Sequence, residues 1–445
     1  MHQNRKGNTR VKLTSIRIIH LFGSYNYAVD FNSDVTFLYG ENGCGKTTIL
    51  NIISAIIMGE LYKLFNYEFH NIGLEYCSEK PGFIEISKED EATLKVAFEG
   101  KTNLIKKITT SSEERHIDNR VAQRRLYFDT YPFLREIELS FNYVFLPLER
   151  TPIRRPMSRR HYWASGKNGP DDRIDARMDY IEDLVYDVVS RQNYALAEIN
   201  DNYRNEILKS HLSVTSDFDK VIANIPGVNS TLNRLEKDMR NYTQLLMSLR
   251  LLSSSESKKY IDDFKRFKDE FTGSILQSKN KNSMISSLVM FYEYSKISDS
   301  LKVAQAAEKE IKEAKKPLDD FVQIINGFLN MTKNRKKIII NEKGQISFNS
   351  DYSQEEKSIH VMSSGEKQLL LFFANLIFEV KDHSAGIFIV DEPEVSLHLA
   401  WQKMFVEKAL SVGGNTQLIF ATHSPEFVGK YRDRMYKLEG NYAGA

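Results

Sequence analysis

Val35-Thr36-Phe37-Leu38-Tyr39-Gly40-Glu41-Asn42-Gly43-Cys44-Gly45-Lys46-Thr47-Thr48 is the stretch on which the fold turns. A short apolar strand, Val35–Tyr39, runs into a glycine-rich turn, and an apolar helix follows from Lys46 to about Met58. The turn matches G-x-x-x-x-G-K-[ST] over Gly40–Thr47. Glycines let backbone N–H groups point inward around phosphate oxygens, the lysine adds a point charge, and the hydroxyl ligates Mg²⁺. The candidate nucleotide-binding residues are Asn42, Gly43, Gly45, Lys46, Thr47 and Thr48. Lys46 is expected on the β- and γ-phosphates and Thr47 on the metal. The positive end of the helix dipole adds to the attraction. Cys44 fills a position that the pattern leaves open, as a space-filler or a redox-sensitive group.

Three later segments extend the reading. Ile387-Phe388-Ile389-Val390-Asp391-Glu392 is an apolar strand ending in two carboxylates. Asp391 is placed to hold Mg²⁺, and Glu392 to polarise an attacking water as general base. Upstream, Met362-Ser363-Ser364-Gly365-Glu366-Lys367-Gln368 puts small hydroxyl residues and a glycine at a helix start, the makings of a second anion site at Ser363 and Gly365. Downstream, strand Gln417–Ala421 runs into Thr422-His423-Ser424-Pro425. A histidine at the carboxyl end of a strand in an α/β sheet faces the ligand crevice, where it can touch a γ-phosphate.

Around these motifs the chain alternates in character. Val11–Leu21 and Tyr25–Phe31 read as a hairpin about Gly23, and Phe83–Ile86, Leu94–Phe98 and Leu104–Ile108 as a small antiparallel sheet. Phe141–Leu146 is another buried strand. From about Asp175 to Asn330 strand patterns vanish, and apolar residues fall at helical spacing, as in Leu232, Leu235, Met239, Tyr242, Leu246 and Leu249. That stripe is read as packing surface between neighbouring helices, with breaks at Ile225-Pro226-Gly227, Ser253–Ser255 and Lys279–Ser283. Strands return at Lys336–Ile340, Gln345–Phe348 and Met435–Leu438. The expected organisation is an α/β head built from residues 11–174 and 333–445, with a helical or short coiled-coil insertion at 175–332.

Composition narrows the function classes. The chain has 445 residues, 61 basic and 59 acidic, so bulk charge argues against a polycation, and nucleic-acid contact needs a local patch. Only Cys44 and Cys77 are present, too few for a disulfide framework or a Cys-only zinc site. The N-terminus has no apolar signal region, and no apolar run approaches a membrane span. A cytoplasmic location is expected.

The full set resembles the ABC-type P-loop ATPase family that includes the SMC, RecF and OLD-like heads. On that resemblance, Walker A is Gly40–Thr47, the signature is Ser363-Ser364-Gly365-Glu366-Lys367, Walker B is Ile387–Glu392, the D-loop is Ser396-Leu397-His398 and the switch histidine is His423. The family implies ATP hydrolysis with Mg²⁺ at sites formed when two copies meet head to head. Ser363 and Gly365 of one copy would meet the γ-phosphate held by Lys46 of the other. Ser364 replaces the signature's first glycine. The Q-loop glutamine has no counterpart, and Glu149 or Arg150 in Pro147-Leu148-Glu149-Arg150 takes its place.

DEPEVSLHLAWQ and LFGSYNYAVDF also resemble the ATPase subunits of prokaryotic anti-phage systems, such as the PARIS and Septu/retron ATPases. That implies a homo-oligomeric scaffold or sensor holding a separate effector nuclease or toxin, with DNA or a phage protein as trigger. Only Pro425–Ala445 follows the switch histidine, so a nuclease is expected on a partner. The alternative is a repair or recombination ATPase binding DNA directly. Its best candidate patch is Arg150, Arg154, Arg155, Arg159 and Arg160 with His161, Tyr162 and Trp163, which reads equally as a solvated loop or an ATP-site contact. Asp171, Asp172 and Asp175 read as a polar turn. An arm helix of ~25 residues would span about 37 Å, too short for long-range DNA tethering.

Overall fold

The structure is a computed structural model that describes residues 11–108, 119–147, 153–154, 172–212, 228–248, 252–277, 281–380, 386–439 and 441–442. Strands β1 (Lys12–Leu21) and β2 (Tyr25–Asp30) form the expected hairpin, and β3 (Val35–Tyr39) leads into helix α1 (Lys46–Ile57). Then come β4 (Asn71–Cys77), β5 (Pro81–Asp90), β6 (Thr93–Phe98) and β7 (Lys101–Lys106), helices α2 (Asn119–Thr130) and α3 (Phe133–Ser140), and strands β8 (Tyr143–Leu146) and β9 (Ile153–Arg154). Helices α4 (Asp172–Leu212), α5 (Val228–Ser248), α6 (Ser254–Gln277) and α7 (Lys281–Leu329) follow. The chain ends with β10 (Lys336–Ile340), β11 (Ile346–Ser350), β12 (Ser353–Ser358), α8 (Ser364–Ala374), β13 (Ile387–Asp391), α9 (Leu399–Gly413), β14 (Gln417–Thr422), α10 (Pro425–Val428), β15 (Met435–Lys437) and β16 (Asn441–Tyr442).

Two compact units result: Met1–Val188 with Asp319–Ala445, and Val189–Leu318. The first is an α/β head. Its central sheet has the order β15-β3-β14-β13-β8-β9, with parallel pairing from β15 through β8. Strands β13 and β14 are buried at every position, as a sheet covered on both faces requires. One face receives α1, whose Ile49, Ile52, Ile53 and Ile56 share a core with Ile387, Ile389 and Ile419 of the sheet. Each such side chain contributes about 1.5–3 kcal/mol by leaving water. Another set of aromatic rings, Phe372, Phe373, Phe405, Phe420 and Phe427, packs around the same strands.

The antiparallel strands differ from the expectation. They are not a small separate sheet. Together they form a seven-stranded sheet ordered β16-β2-β1-β4-β5-β6-β7, in which β4 joins the hairpin to β5–β7. Ile16, Ile18, Leu74, Ile84 and Val96 line its inner face and enter the core that holds α1. The helix bearing the phosphate loop is thus gripped between two sheets. A third sheet, β10-β11-β12, contains one strand more than the sequence indicates.

The second unit is helical. Leu232, Leu235 and Met239 of α5 bury against Phe264 and Phe267 of α6, which is the packing surface expected for the stripe. Leu245, not Leu246, is the next buried apolar position, beside Leu301 and Ala304. Leu249 and the Pro226 break lie outside the described residues, as do Arg150, Arg155, Arg159, Arg160, His161, Tyr162, Trp163 and Asp171. The ~25-residue estimate of helix length needs correction. Helices α4 and α7 contain 41 and 49 residues, roughly 60 and 70 Å at about 1.5 Å per residue. Among the described residues no helix is long and apolar enough to cross a membrane.

Candidate active site

Parallel pairing assembles the site. Strands β3, β14 and β13 are adjacent and end at one edge of the sheet: Thr422 pairs with Tyr39, and Asp391 with Ala421. Gly40–Gly45 follows the first strand, His423 the second and Glu392 the third. Residues up to 377 positions apart in sequence are thereby delivered to one crevice.

Between β3 and α1, Gly43 and Gly45 have φ of 84° and 93°, a conformation costly for any side chain. Tyr27 of β2 donates its hydroxyl to the Cys44 carbonyl (3.1 Å) and bears on Gly45, where a methyl group would lie 3.2 Å from that hydroxyl. Burial raises the Tyr27 pKa above its ordinary value of 10.0, so the phenol stays a donor. Lys46 is buried, and its Nζ donates to the carbonyls of Gly40 (2.8 Å) and Glu41 (3.0 Å), lying across the loop. The same Nζ lies 3.3 Å from His423 Nδ1 and 3.7 Å from Cys44 Sγ. Thr47 donates its hydroxyl to Asp391 Oδ2 at 2.9 Å, and Asp391 is 1% exposed. Glu392 adopts φ of 47°, unusual for a side-chain-bearing residue and of the kind found at active sites. That turn leaves its Oε1 3.3 Å from His423 Nε2.

The family described as AAA ATPase domain matches residues 12–428. The chain belongs to that family. It is an α/β P-loop ATPase head with an inserted helical region, and the AAA-type ATPase domain supports ATP hydrolysis. The chain is 22% identical over 407 residues to a protein of Vibrio cholerae serotype O1 biovar El Tor named as the probable ATPase of retron Vc95, covering 88% of this chain. It spans 66% of that relative's length. Similar solved structures include the Smc head domain with an extended coiled coil from Pyrococcus furiosus, at 12% identity and a TM-score of 0.41, covering 94% of this chain and 91% of that one. The recombination mediator RecF matches at 12% identity and a TM-score of 0.35, covering 99% of this chain and 100% of that one.

The segment expected to be the signature, Ser363–Lys367, is built differently from the loop Gly40–Gly45. Ser363 caps α8: its Oγ accepts from the Glu366 N–H (3.5 Å), and Glu366 accepts the Ser363 N–H (2.8 Å). Lys336 pairs with Glu366 at 2.9 Å. A methyl group on Gly365 would lie 2.4 Å from the Ser396 carbonyl, so that position admits only glycine unless the loop moves. Among the described residues, no hydrogen bond or ion pair joins Ser363 or Gly365 to residues 40–48. His398, expected in the D-loop, caps α9 by accepting the Ala400 N–H (3.2 Å).

Several site residues escaped the sequence reading. Glu394 Oε1 accepts from Thr422 Oγ1 and from the His423 N–H, each at 2.7 Å. Gln402 donates to the Leu397 carbonyl (3.1 Å) and accepts from Ser424 Oγ (3.0 Å), and Gln368 of α8 donates to the Pro393 carbonyl (2.6 Å). A signal existed for Glu394, a third acid in Asp391-Glu392-Pro393-Glu394. Nothing in the sequence marks the glutamines. The residues expected at the Q-loop position, Glu149 or Arg150, lie outside the described residues.

Proposed function

We propose that the chain binds MgATP in the crevice at the ends of β3, β13 and β14, and hydrolyses it in a site completed by a second copy. The carrying observation is that residues from three separate strand ends meet in two adjoining sets of contacts, Lys46–His423–Glu392 and Thr47–Asp391. The donor set suits a hard cation: a Thr hydroxyl and a carboxylate oxygen 2.9 Å apart would hold Mg²⁺, which when bound neutralises phosphate charge. Lys46 exchanges its loop carbonyls for β- and γ-phosphate oxygens. Glu392 takes a proton from the attacking water, and His423, between Lys46 and Glu392, orients the terminal phosphate. Ser363 and Gly365 of a second copy close the far side. Exposed apolar side chains flanking the signature and D-loop segments (Val361, Val395 and Leu399) support such a self-association.

In its wider role the chain is proposed to act as the oligomeric ATPase of an anti-phage system that holds a separate effector nuclease. The probable ATPase of retron Vc95 among its relatives supports this. Glu392→Gln tests the chemistry: it is expected to keep ATP binding, lose hydrolysis by about 10²–10⁴-fold, and accumulate an ATP-dependent dimer by light scattering. Retained hydrolysis, or a monomer at saturating ATP, defeats the composite site. Co-purification with the product of a neighbouring gene tests the wider role, and its absence would leave only the ATPase standing.

A further inference from the structure

The switch segment Thr422–Ser424 is tied to the loop and helix that follow Glu392. Three of the hydrogen bonds that hold it arise from residues 394–402: Glu394 accepts the Thr422 hydroxyl and the His423 N–H, and Gln402 accepts the Ser424 hydroxyl. The Thr422 hydroxyl in turn accepts the Ser424 N–H at 3.0 Å. The segment that supplies these bonds is itself seated on α8. Gln368 grips the Pro393 carbonyl, and Gly365 lies against the Ser396 carbonyl. The segment Pro393–Ser396 therefore lies between the signature helix, which meets Pro393 and Ser396, and the backbone that aims His423, which Glu394 holds.

The choice of a carboxylate here is informative. Its Oε1 takes two donors, while Oε2 is buried and has no hydrogen-bond partner among the described residues. Burying half a carboxylate without a partner is costly, and a short neutral residue would fill the space more cheaply. What the charge supplies is a strong, short hold on the His423 N–H, at 2.7 Å.

We infer that Glu394 is a positioning residue for hydrolysis: its carboxylate sets the place of the His423 ring between Lys46 and Glu392, and lets displacement of the signature helix reach that ring. The inference rests on the reading of His423 given under Proposed function. In this reading Glu394 is not itself a nucleotide contact. It acts through the backbone of His423, whose ring reaches 3.3 Å contacts on both sides. Misplacement of a reacting group by about 1 Å can cost on the order of a hundredfold in rate.

The experiment is a double-mutant cycle on turnover with Glu394→Ala, His423→Ala and the double variant in the full chain, with ATP affinity and Tm measured on each. Glu394→Ala is expected to lower kcat by roughly ten- to a hundredfold, with ATP affinity within about twofold of the parent. In the His423→Ala background the same change should alter kcat by less than about twofold. Glu394→Gln, whose amide oxygen can accept both donors but carries no charge, should recover only part of the lost rate. Equal factors in both backgrounds overturn the inference, because Glu394 would then act independently of His423. A parallel loss of ATP affinity, Tm and kcat also overturns it, in favour of a purely structural role. If His423→Ala leaves turnover unchanged, the reading of His423 falls and takes the inference with it. If His423→Ala lowers turnover while Glu394→Ala does not, the inference alone falls.

Discussion

Two helices of the head bring their N-termini to the candidate chemistry, and the chain finishes them in opposite ways. Helix α1 begins after Gly45 with no side-chain cap and no acid in its first turn. Helix α8 begins with a complete capping box, Ser363 with Glu366, and its acid is paired with Lys336. An uncapped helix start leaves its first N–H groups free of side-chain partners and so open to an incoming anion. The capped start is content without one, and offers a ligand only what capping leaves over. The difference separates the two halves of the proposed site. In the proposed site the α1 half is the phosphate cradle, and the α8 half is the surface that a second copy would meet.

The largest effect that could break this comparison is at Lys46. Lys46→Ala removes the buried charge over the open helix start, and each charge-assisted bond to phosphate is worth about 1.5–3 kcal/mol. Calorimetric titration should show ATP affinity falling by roughly a hundredfold or more. An unchanged affinity would mean that the uncapped helix is not the phosphate site. Next comes a pair of glycines that fail for different reasons. Gly365→Ala places a methyl group 2.4 Å from the Ser396 carbonyl, and forcing the two segments apart should cost about 1–3 kcal/mol in urea unfolding. Gly43→Ala meets nothing within 4 Å but holds φ at 84°, for a cost of about 1 kcal/mol from conformation alone. Equal costs would erase the distinction between a loop shaped for a ligand and a helix packed against its own chain.

The open half was legible from sequence and the closed half only in outline. Gly43, Gly45, Lys46 and Thr47 are local and chemically specific, and an apolar strand ending in Asp391-Glu392 has few other meanings. Ser363 and Gly365 look like any helix cap until the Ser396 carbonyl is seen against the glycine. The tie from Glu394 to His423 spans 29 residues and exists because β13 and β14 are neighbours, which is a fact of sheet order. The same reason hid two strands. Asn71–Cys77 carries Gly73 against Phe83, and its place between the hairpin and β5 is set by pairing rather than pattern. Ser353–Ser358 reads SQEEKS, with no apolar residue at all, as an edge strand can. Helix lengths in the second unit went astray because a stripe gives the face of a helix more reliably than its ends.

Ser363→Ala sharpens the comparison at a smaller scale. Loss of an N-cap hydroxyl costs about 1 kcal/mol, and urea unfolding of the nucleotide-free protein reads it directly. If Ser363 also meets phosphate across a dimer, the same variant should weaken ATP-dependent association in the Glu392→Gln background while leaving ATP affinity of the monomer unchanged. A stability loss with intact association would confine Ser363 to capping.

The smallest effect concerns a capping box in the helical unit, which has no nucleotide to serve. At the start of α6, Ser253 donates through its hydroxyl (2.6 Å) and its N–H (2.9 Å) to Glu256, and the Glu256 N–H returns a bond to Ser253 Oγ at 3.3 Å. Those two donors, the hydroxyl first, hold the Glu256 pKa below its ordinary value of 4.5. A depressed carboxylate stabilises the fold fully above 4.5, and the contribution disappears as pH falls through the lower folded value. Glu256→Gln should therefore melt slightly below the parent at about pH 7, with the gap closing at about pH 3. The carboxyl is solvent-exposed, so the gap should be smaller than the one at Ser363. Were it larger, or constant across that range, Glu256 would be acting through packing instead of charge, and the two capping boxes could no longer be treated as the same device.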